Sequence, residues 1–522
     1  MPIGGGLTHL ARRHPTRDAV VLGADRRSYR ELDAAVMETA AAIASRCGGP
    51  RGGGPPAGRI GILSRPRIEF LEVFLGAAAA GVPAMVLDTD WSPGELEKVL
   101  ARTHLDILFV DPSALGVPLG RPPVGELVSI SGDGEHDLSE YRQWRSNGRR
   151  GDGVLSAVSD DAPFYIGFTS GSTGRPKGFV RSHASWLRSF AASGREFRLA
   201  RRDRILAPGP LDHSLFLYAA VHGLEIGASV HLLPAFDADA ALRAIRRERI
   251  SCVYAVPTML EAMVDAGDRE RAVAGRERSG LGHVHSVICS GARWRPEAKA
   301  RVRALLPDSD AIEFYGASEL SFVSVLSSRE GGPPQSVGRP FAGVEISIRR
   351  PDGSPAAPGE SGRLYVRSGM LCSGYLEPDE GRFEQDPAGW ATVGDVARLD
   401  HEGYLHLVGR EDGMLISGGL NVHVEEVEEA LRGLAEVAEV AVVGLADAYW
   451  GDLICAAIRW HPSRGLTRAE LRGHCRTTLA RHKCPRRFVT VPRLPRTRSG
   501  KVARARLAEG LAAGSYPAED IA

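Results

Sequence analysis

Short apolar runs that alternate with helix-like segments are the feature that most restricts how this chain can fold. A first series of apolar runs occupies residues 59–63, 83–87 and 106–111. A second series begins after residue 160, and its runs lie at 204–209, 229–234, 251–257, 284–291 and 311–316. Continuous apolar strands separated by helices are typical of parallel sheets that are covered on both faces. The pattern therefore predicts an α/β fold with two parallel, helix-covered sheets.

The pattern changes near residue 340, where alternating strands are joined by turn pairs such as Asp352-Gly353. This change predicts a small, mainly antiparallel β subdomain. After residue 409 a shorter mixture of helices and strands begins. We predict a large N-terminal domain at 1–409 and a small, mobile α+β C-terminal domain at 410–522, with a hinge near Asp412.

Composition and charge exclude several classes of protein. The 522 residues include 65 Lys and Arg and 64 Asp and Glu, so the formal net charge is +1. This balance gives no support for a nucleic-acid partner. The longest apolar run, Phe74 to Leu87, has 14 residues, fewer than the roughly 20 that span a membrane. Seven scattered cysteines without a Cys-x-x-Cys pair, and a start without an apolar signal core, predict a cytoplasmic protein.

The segment at 164–183 concentrates groups that bind phosphate. Glycine amides, hydroxyls and a lysine can all donate to one anion. The spacing is not that of a P-loop, because Lys177 is followed by Gly178 rather than by Ser or Thr. A flexible surface turn is the alternative interpretation. The candidate phosphate-binding residues are Thr169, Ser170, Gly171, Ser172, Thr173, Gly174 and Lys177.

This segment resembles the signature loop of the adenylate-forming superfamily of acyl-CoA synthetases, peptide-synthetase adenylation domains and luciferases. Further segments resemble later motifs of that superfamily in the expected order, and they lie at 313–319, 336–340, 389–397, 408–428 and 495–504. One departure is Val393, where the superfamily usually has threonine. The resemblance implies an AMP-forming ligase that uses ATP and Mg²⁺ to make an acyl-adenylate and then a thioester.

The resemblance also implies roles for individual residues. Glu319 would bind Mg²⁺ through a carboxylate oxygen, and Tyr315 would stack on the adenine. Asp395 and Arg410 would contact the ribose. Lys501 would offset the charge that forms when a carboxylate attacks the α-phosphorus, so Lys501 and Glu319 are the expected catalytic residues. The remaining expected ATP contacts are Gly291, Ala292, Gly316, Ala317 and Ser318.

The predicted substrate class depends on Asp212, which lies in the segment where the superfamily places its acyl pocket. Residues 210–213 match the Pro-x-x-His of acyl-CoA synthetases, whereas 211–214 nearly match the Phe-Asp-x-Ser of amino-acid-activating members. A carboxylate buried in such a pocket is costly without a partner, and a substrate ammonium would supply one. We therefore predict an amino acid, and because three nearby phenylalanines would leave little room, a small one such as alanine, glycine or serine. The other predicted substrate-binding residues are His213, Phe216, Phe314, Phe322 and Val323.

Two alternatives remain open for this pocket. Asp212 can instead pair with His213 or an arginine and face away, and the phenylalanines can simply be core residues. An acyl-CoA synthetase that activates a carboxylic acid is then the alternative function. A luciferase-like oxygenase would share the fold, but no feature of the sequence supports that function. A catalytically silent relative is disfavoured, because Lys501 and Glu319 are both present.

The thiol acceptor is expected to be a separate molecule, because the chain contains no Gly-Gly-x-Ser phosphopantetheine site. By resemblance, rotation about the hinge at Asp412 would place Gly418 and Gly419 along the tunnel for that thiol. Fourteen Lys and Arg against one acid lie between Arg464 and Leu507. Such a patch can attract an acidic carrier protein or hold the phosphates of CoA. The predicted function is adenylation of a small amino acid and its transfer to a discrete phosphopantetheinylated carrier protein.

Overall fold

The computed structural model divides into two compact units. The first comprises Met1–Ile346 and Val366–Ala391, and the second comprises Ser347–Tyr365 and Thr392–Ala522. The predicted domain boundary at 409/410 and the hinge at Asp412 stay predictions. The structure describes residues 2–47, 58–114, 122–130, 138–148, 155, 157–170, 176–274, 281–291, 294, 296–333, 335–377, 383–411, 414–417, 420–447, 450–462, 464–479, 483–497 and 500–521.

The described residues form the following elements. The helices are α1 (Gly5–Arg13), α2 (Tyr29–Cys47), α3 (Ile68–Ala80), α4 (Pro93–Thr103), α5 (Ser139–Asn147), α6 (His183–Glu196), α7 (Ser214–Glu225), α8 (Ala238–Glu248), α9 (Pro257–Ala274), α10 (Pro296–Leu305), α11 (Val424–Arg432), α12 (Arg468–Thr478) and α13 (Arg504–Ala512). The strands are β1 (Asp18–Leu22), β2 (Asp25–Ser28), β3 (Ile60–Leu63), β4 (Ala84–Val86), β5 (Leu105–Val110), β6 (Val124–Ser129), β7 (Pro163–Ser170), β8 (Pro176–Ser182), β9 (Arg204–Ala207), β10 (Ser229–Leu232), β11 (Cys252–Ala255), β12 (Ser286–Cys289), β13 (Asp310–Ala317), β14 (Ser321–Ser327), β15 (Arg339–Pro340), β16 (Val344–Arg349), β17 (Gly362–Ser368), β18 (Gly374–Tyr375), β19 (Glu384–Gln385), β20 (Ala391–Thr392), β21 (Asp395–Leu399), β22 (Leu405–Arg410), β23 (Met414–Ser417), β24 (Leu420–His423), β25 (Val437–Asp447), β26 (Gly451–Trp460), β27 (Arg487–Thr490) and β28 (Glu519–Asp520).

Two largely parallel sheets make up the first unit. The larger has the order β15-β14-β13-β12-β11-β9-β10-β1-β2, parallel from β13 to β1 and antiparallel at its edges. The other has the order β18-β8-β7-β4-β3-β5-β6, and β7, β4, β3, β5 and β6 are parallel. The prediction of an α/β fold with two parallel sheets is confirmed.

The apolar run from Phe74 to Leu87 forms the end of α3 and then β4. Nearly every residue of α3 is buried, including Glu69 and Glu72, so this mostly apolar helix lies inside a core. The helix ends at Gly81, whose φ of 69° is left-handed and favours glycine. In the described part of the chain, no helix is both long and apolar enough to cross a membrane.

The second unit contains the antiparallel strands β21 and β22 and a small α+β core. Strands β25 and β26 form a long antiparallel hairpin that β27 extends in parallel. Alternate residues of β25 face opposite sides of this sheet. Val442 packs with Val427 of α11, whereas Val443 packs with Leu507 of α13. Strand β25 therefore lies between helices α11 and α13.

Glu225, at the end of α7, has a carboxyl group that resists ionisation. It accepts a hydrogen bond from the Gly4 amide at 2.5 Å. Burial raises the pKa of Glu225 from 4.5 to about 7, and the Gly4 bond only partly opposes this shift. Because the folded pKa exceeds the unfolded pKa, the stabilisation is complete below about pH 4.5 and is lost as the pH rises through about 7.

Replacement of Glu225 by glutamine should therefore stabilise the protein at alkaline pH. The variant keeps an oxygen acceptor for Gly4 but has no proton to lose. We expect it to match the wild type near pH 5 and to unfold with a free energy higher by about 2 kcal/mol near pH 8. Thermal unfolding at both pH values measures the difference, with the exposed Glu97→Gln as control. An identical difference at both pH values would contradict the raised pKa.

Candidate functional site

The predicted phosphate-binding segment forms the hairpin of β7 and β8. The two strands are antiparallel, and Thr169 lies directly opposite Lys177. Cross-strand partners project to the same face of a sheet, so these two residues are neighbours. Ser170 lies opposite Pro176. The four other predicted loop residues, Gly171, Ser172, Thr173 and Gly174, lie outside the described residues.

A second hairpin, β13 and β14, carries Tyr315, Gly316 and Ala317 at the end of its first strand and Glu319 in its turn. The register shifts between Tyr315 and Gly316. A Cβ atom placed on Gly316 would lie 2.1 Å from the carbonyl oxygen of Ser321, so the close approach of the two strands requires glycine. The predicted motif residues therefore share one tight backbone arrangement.

The carboxylate of Glu319 is held by a neighbouring residue. The side chain is buried, and the Tyr375 hydroxyl donates to its Oε1 at 2.7 Å. The amide of Cys372 also donates to the Glu319 carbonyl oxygen at 2.8 Å. Both the carboxylate and the backbone of Glu319 are therefore oriented by other residues of the protein.

Arg181, which the sequence reasoning missed, connects the two hairpins. It lies on β8 and is 3% exposed. Its guanidinium donates to the carbonyl oxygens of Ser318 at 3.0 Å and Met370 at 2.8 Å. Burial lowers the pKa of Arg181 below its ordinary value, although the nearby Glu319 carboxylate acts in the opposite direction. A single arginine therefore fixes the Glu319 turn beside the phosphate-binding hairpin. The available signal was an arginine directly after the apolar residues Phe179 and Val180.

The end of β12 is tied to the same hairpin. Gly291 follows this strand with a left-handed φ of 92°, and the hydroxyl of Ser290 donates to the Phe314 carbonyl oxygen at 2.8 Å. Gly291, a predicted ATP contact, is therefore close in structure to β13. The predicted residues Ala292, Asp412, Gly418 and Gly419 lie outside the described residues.

In the second unit, Asp395 and Arg410 are direct partners. They lie opposite each other on β21 and β22, with Asp395 Oδ1 3.4 Å from Arg410 Nε. Arg410 also donates to the Val393 carbonyl oxygen at 3.0 Å. Asp395 is 8% exposed. The two predicted ribose contacts are thus brought together, as one would need for joint contact with one sugar.

Lys501 lies on a tight turn, with its side chain exposed. Its carbonyl oxygen accepts hydrogen bonds from the amide of Thr497 at 2.7 Å and from the hydroxyl of Thr497 at 3.2 Å. Gly500 precedes it with a left-handed φ of 78°. The backbone is therefore fixed where the long lysine side chain leaves it.

Asp212 has a partner that the sequence did not identify. Its Oδ2 accepts hydrogen bonds from the amide of Thr89 at 3.2 Å and the hydroxyl of Thr89 at 3.1 Å. Thr89 follows β4, so the contact joins the two parallel sheets of the first unit. The alternative in which Asp212 pairs within the protein therefore has a structural basis, with Thr89 in place of His213 or arginine. His213 lies at the N-cap of α7.

Most of the predicted pocket aromatics are packed in the core. The ring of Phe322 lies 4.7 Å from Phe314 and is stacked at 4.7 Å on Phe341. Phe216, Phe322 and Val323 are buried, whereas Phe314 is half-buried. Of the four, Phe314 is the most exposed.

Comparison with known proteins identifies the family. A family model described as AMP-binding enzyme matches residues 7–376, and one described as AMP-binding enzyme C-terminal domain matches residues 426–501. The chain belongs to the AMP-binding enzyme family. This AMP-binding enzyme is similar to an uncharacterized acyl-CoA ligase, YhfT, of Bacillus subtilis (strain 168), with 36% identity over 96% of each chain. It is also similar to a feruloyl-CoA synthase of Amycolatopsis sp, with 30% identity over 96% of this chain and 97% of the relative.

Two solved structures have a similar fold. The o-succinylbenzoate CoA synthetase MenE from Bacillus subtilis, in complex with its acyl-adenylate, has a TM-score of 0.77 at 25% identity over 97% of this chain and 98% of that chain. ATP-bound MatB from Rhodopseudomonas palustris has a TM-score of 0.84 at 23% identity over 99% and 100%, and it shares the fold. This AMP-binding enzyme is an AMP-forming ligase that makes an acyl-adenylate and then a thioester, as the motifs predict.

Proposed function

We propose that this AMP-binding enzyme adenylates a carboxylic acid and transfers the acyl group to CoA. This is the alternative function of the sequence analysis rather than its main prediction. The observation that carries the proposal is that Asp212 Oδ2 already receives the amide and the hydroxyl of Thr89. Engagement of Oδ2 in this way leaves the carboxylate with less accepting capacity for a substrate ammonium. The acyl-CoA ligases among the relatives support the same choice of substrate class.

In the first half-reaction, a carboxylate oxygen of the acid would attack the α-phosphorus of ATP, and pyrophosphate would leave. Thr169 and Lys177 would hold the phosphates, while Asp395 and Arg410 would hold the ribose. Lys501 would stabilise the negative charge shared by the attacking carboxylate and the α-phosphate. In the second half-reaction, the CoA thiolate would attack the acyl carbonyl carbon, and AMP would leave.

Mg²⁺ fits this site as an ion that arrives with ATP. Among the residues described, no group of three or more His, Cys, Asp or Glu could hold a metal ion. Mg²⁺ does not require such a group, because phosphate oxygens and water complete its coordination beside one or two carboxylates. The oriented carboxylate of Glu319 would be that ligand, and the ion would offset the phosphate charge.

A pyrophosphate-exchange panel tests the substrate class. Wild type, Asp212→Ala and Thr89→Ala would each be assayed with acetic, malonic, hexanoic, palmitic, ferulic and indole-3-acetic acids, and with glycine, alanine and serine. We expect exchange with at least one of the acids that lack an α-amino group and none with the amino acids. Because both substitutions break the same internal contact, they should lower exchange by similar factors of less than about tenfold. Loss of a thiol signal on adding CoA would then identify the acceptor.

The opposite pattern would restore the amino-acid prediction. Exchange driven by glycine, alanine or serine, abolished by Asp212→Ala but retained by Thr89→Ala, would mean that the carboxylate binds the substrate ammonium. Transfer to a phosphopantetheinylated carrier protein in preference to CoA would likewise favour the carrier as acceptor.

A further inference from the structure

Glu428, on α11, is a buried carboxylate that gathers three separate groups. Its side chain is 2% exposed. Oε1 accepts the Val442 amide of β25 at 2.9 Å and Nη2 of Arg504 at 2.8 Å. Oε2 accepts Nη2 of Arg504 at 2.9 Å and Nη2 of Arg432 at 2.6 Å. Two arginines and a backbone amide therefore satisfy both oxygens of the carboxylate.

Arg504 connects the Glu428 cluster to the segment that contains Lys501. Arg504 is the first residue of α13 and lies three positions after Lys501. Helices α11 and α13 pack on opposite faces of β25, and within the described strands β25 pairs only with β26. Arg504 reaches around the unpaired edge of β25 to the carboxylate of Glu428. The contact thereby ties the residues after Lys501 to a helix on the other face of the sheet.

A second ion pair holds the residues before Lys501. Arg496 donates to Glu439 Oε1 on β25 at 2.7 Å and to the Gly500 carbonyl oxygen at 2.7 Å. The Lys501 turn is therefore anchored on β25 from one side and on Glu428 from the other. The exposed side chain of Lys501 extends from this anchored backbone.

We propose that Glu428 is a positioning residue for Lys501, which it holds through Arg504 for the adenylation half-reaction. The inference rests on the proposed role of Lys501. A lysine that stabilises a transition state must place its ammonium accurately, and a displacement of about 1 Å can cost up to about 100-fold in rate. An anchor that acts only on the lysine turn should affect the first half-reaction and spare the second, in which Lys501 has no assigned role.

The kinetic test compares the two half-reactions in Glu428→Gln. Adenylation is measured by pyrophosphate exchange with the most active acid of the panel above. Thioester formation is measured separately, from the synthetic adenylate of that acid and CoA. We expect exchange to fall about tenfold or more, with thioester formation within about twofold of wild type. Glu426→Gln, on the same helix, is the matched control, because Glu426 pairs with Lys483 at 2.6 Å rather than with Arg504.

A second readout needs no substrate. Endoproteinase Lys-C cleaves after lysine, so it reports local opening at Lys501 and at Lys483 separately. In Glu428→Gln the initial rate of cleavage after Lys501 should rise about fivefold, with cleavage after Lys483 unchanged. In Glu426→Gln the reverse is expected. Mass spectrometry of the fragments assigns each cut.

The outcomes separate this inference from the proposed function. Equal losses in both half-reactions, or unchanged cleavage after Lys501 in Glu428→Gln, would overturn the positioning role. If Lys501→Ala keeps normal exchange, the assigned role of Lys501 fails instead. If none of the panel acids supports exchange, the proposed substrate class fails, and the protease experiment still decides whether Glu428 holds the lysine turn.

Discussion

Replacing Lys501 by alanine should slow pyrophosphate exchange at least about 100-fold while leaving the affinity for ATP nearly unchanged. The ammonium is expected to act mainly when the carboxylate attacks the α-phosphorus, because negative charge then accumulates between two anionic groups. Loss of one such preorganised donor typically costs about 100-fold to 1,000-fold in rate. Exchange kinetics and equilibrium binding of ATP, measured on the same preparation, give the two quantities.

The nearby Arg506→Ala is the control for this experiment. Arg506 is an exposed cation on α13, so it tests whether loss of any positive charge in this region has the same effect. Thioester formation from a preformed adenylate should be unaffected in Lys501→Ala. Normal exchange in Lys501→Ala, or an equal loss in Arg506→Ala, would refute a specific role for the lysine ammonium.

Replacing Gly316 by alanine should both destabilise the first unit and impair adenylation. The new Cβ would lie 2.1 Å from the Ser321 carbonyl oxygen, and backbone atoms cannot move as readily as a side-chain tip. We expect the free energy of unfolding to fall by about 3 kcal/mol, the upper part of the range for overpacking. Exchange should fall about tenfold or more, because displacement of β13 also moves Tyr315 and Glu319.

Gly94→Ala is the matched control for this substitution. Gly94 lies in α4, and nothing stands within 4 Å of the position of its added Cβ. Alanine is a better helix former than glycine, so this variant should gain about 0.5–1 kcal/mol in stability without a change in exchange. Thermal unfolding and exchange assays compare the two variants. A Gly316→Ala enzyme with wild-type stability would contradict the close approach of β13 and β14.

The sequence by itself determined the fold class and the order of the motifs. The alternation of apolar runs with helical segments is a local property of the sequence. It indicates parallel, helix-covered sheets without specifying which strands pair with each other. The pairs Thr169–Lys177 and Asp395–Arg410 also follow from local structure, since each pair lies on two strands that are close in sequence and antiparallel. For such residues, a short separation along the chain helps to make the two side chains neighbours.

The tertiary structure alone decided the contacts between distant segments. Asp212 contacts Thr89, 123 residues away. This contact favours a carboxylic acid without an amino group over an amino acid as the proposed substrate. Arg181 reaches Ser318 across 137 residues, and Glu428 reaches Arg504 across 76. A carboxylate or a guanidinium can form hydrogen bonds with many different groups. Its position in the sequence therefore does not determine which partner it contacts. The packing of sheets and helices makes that selection, because it decides which segments come within hydrogen-bonding distance.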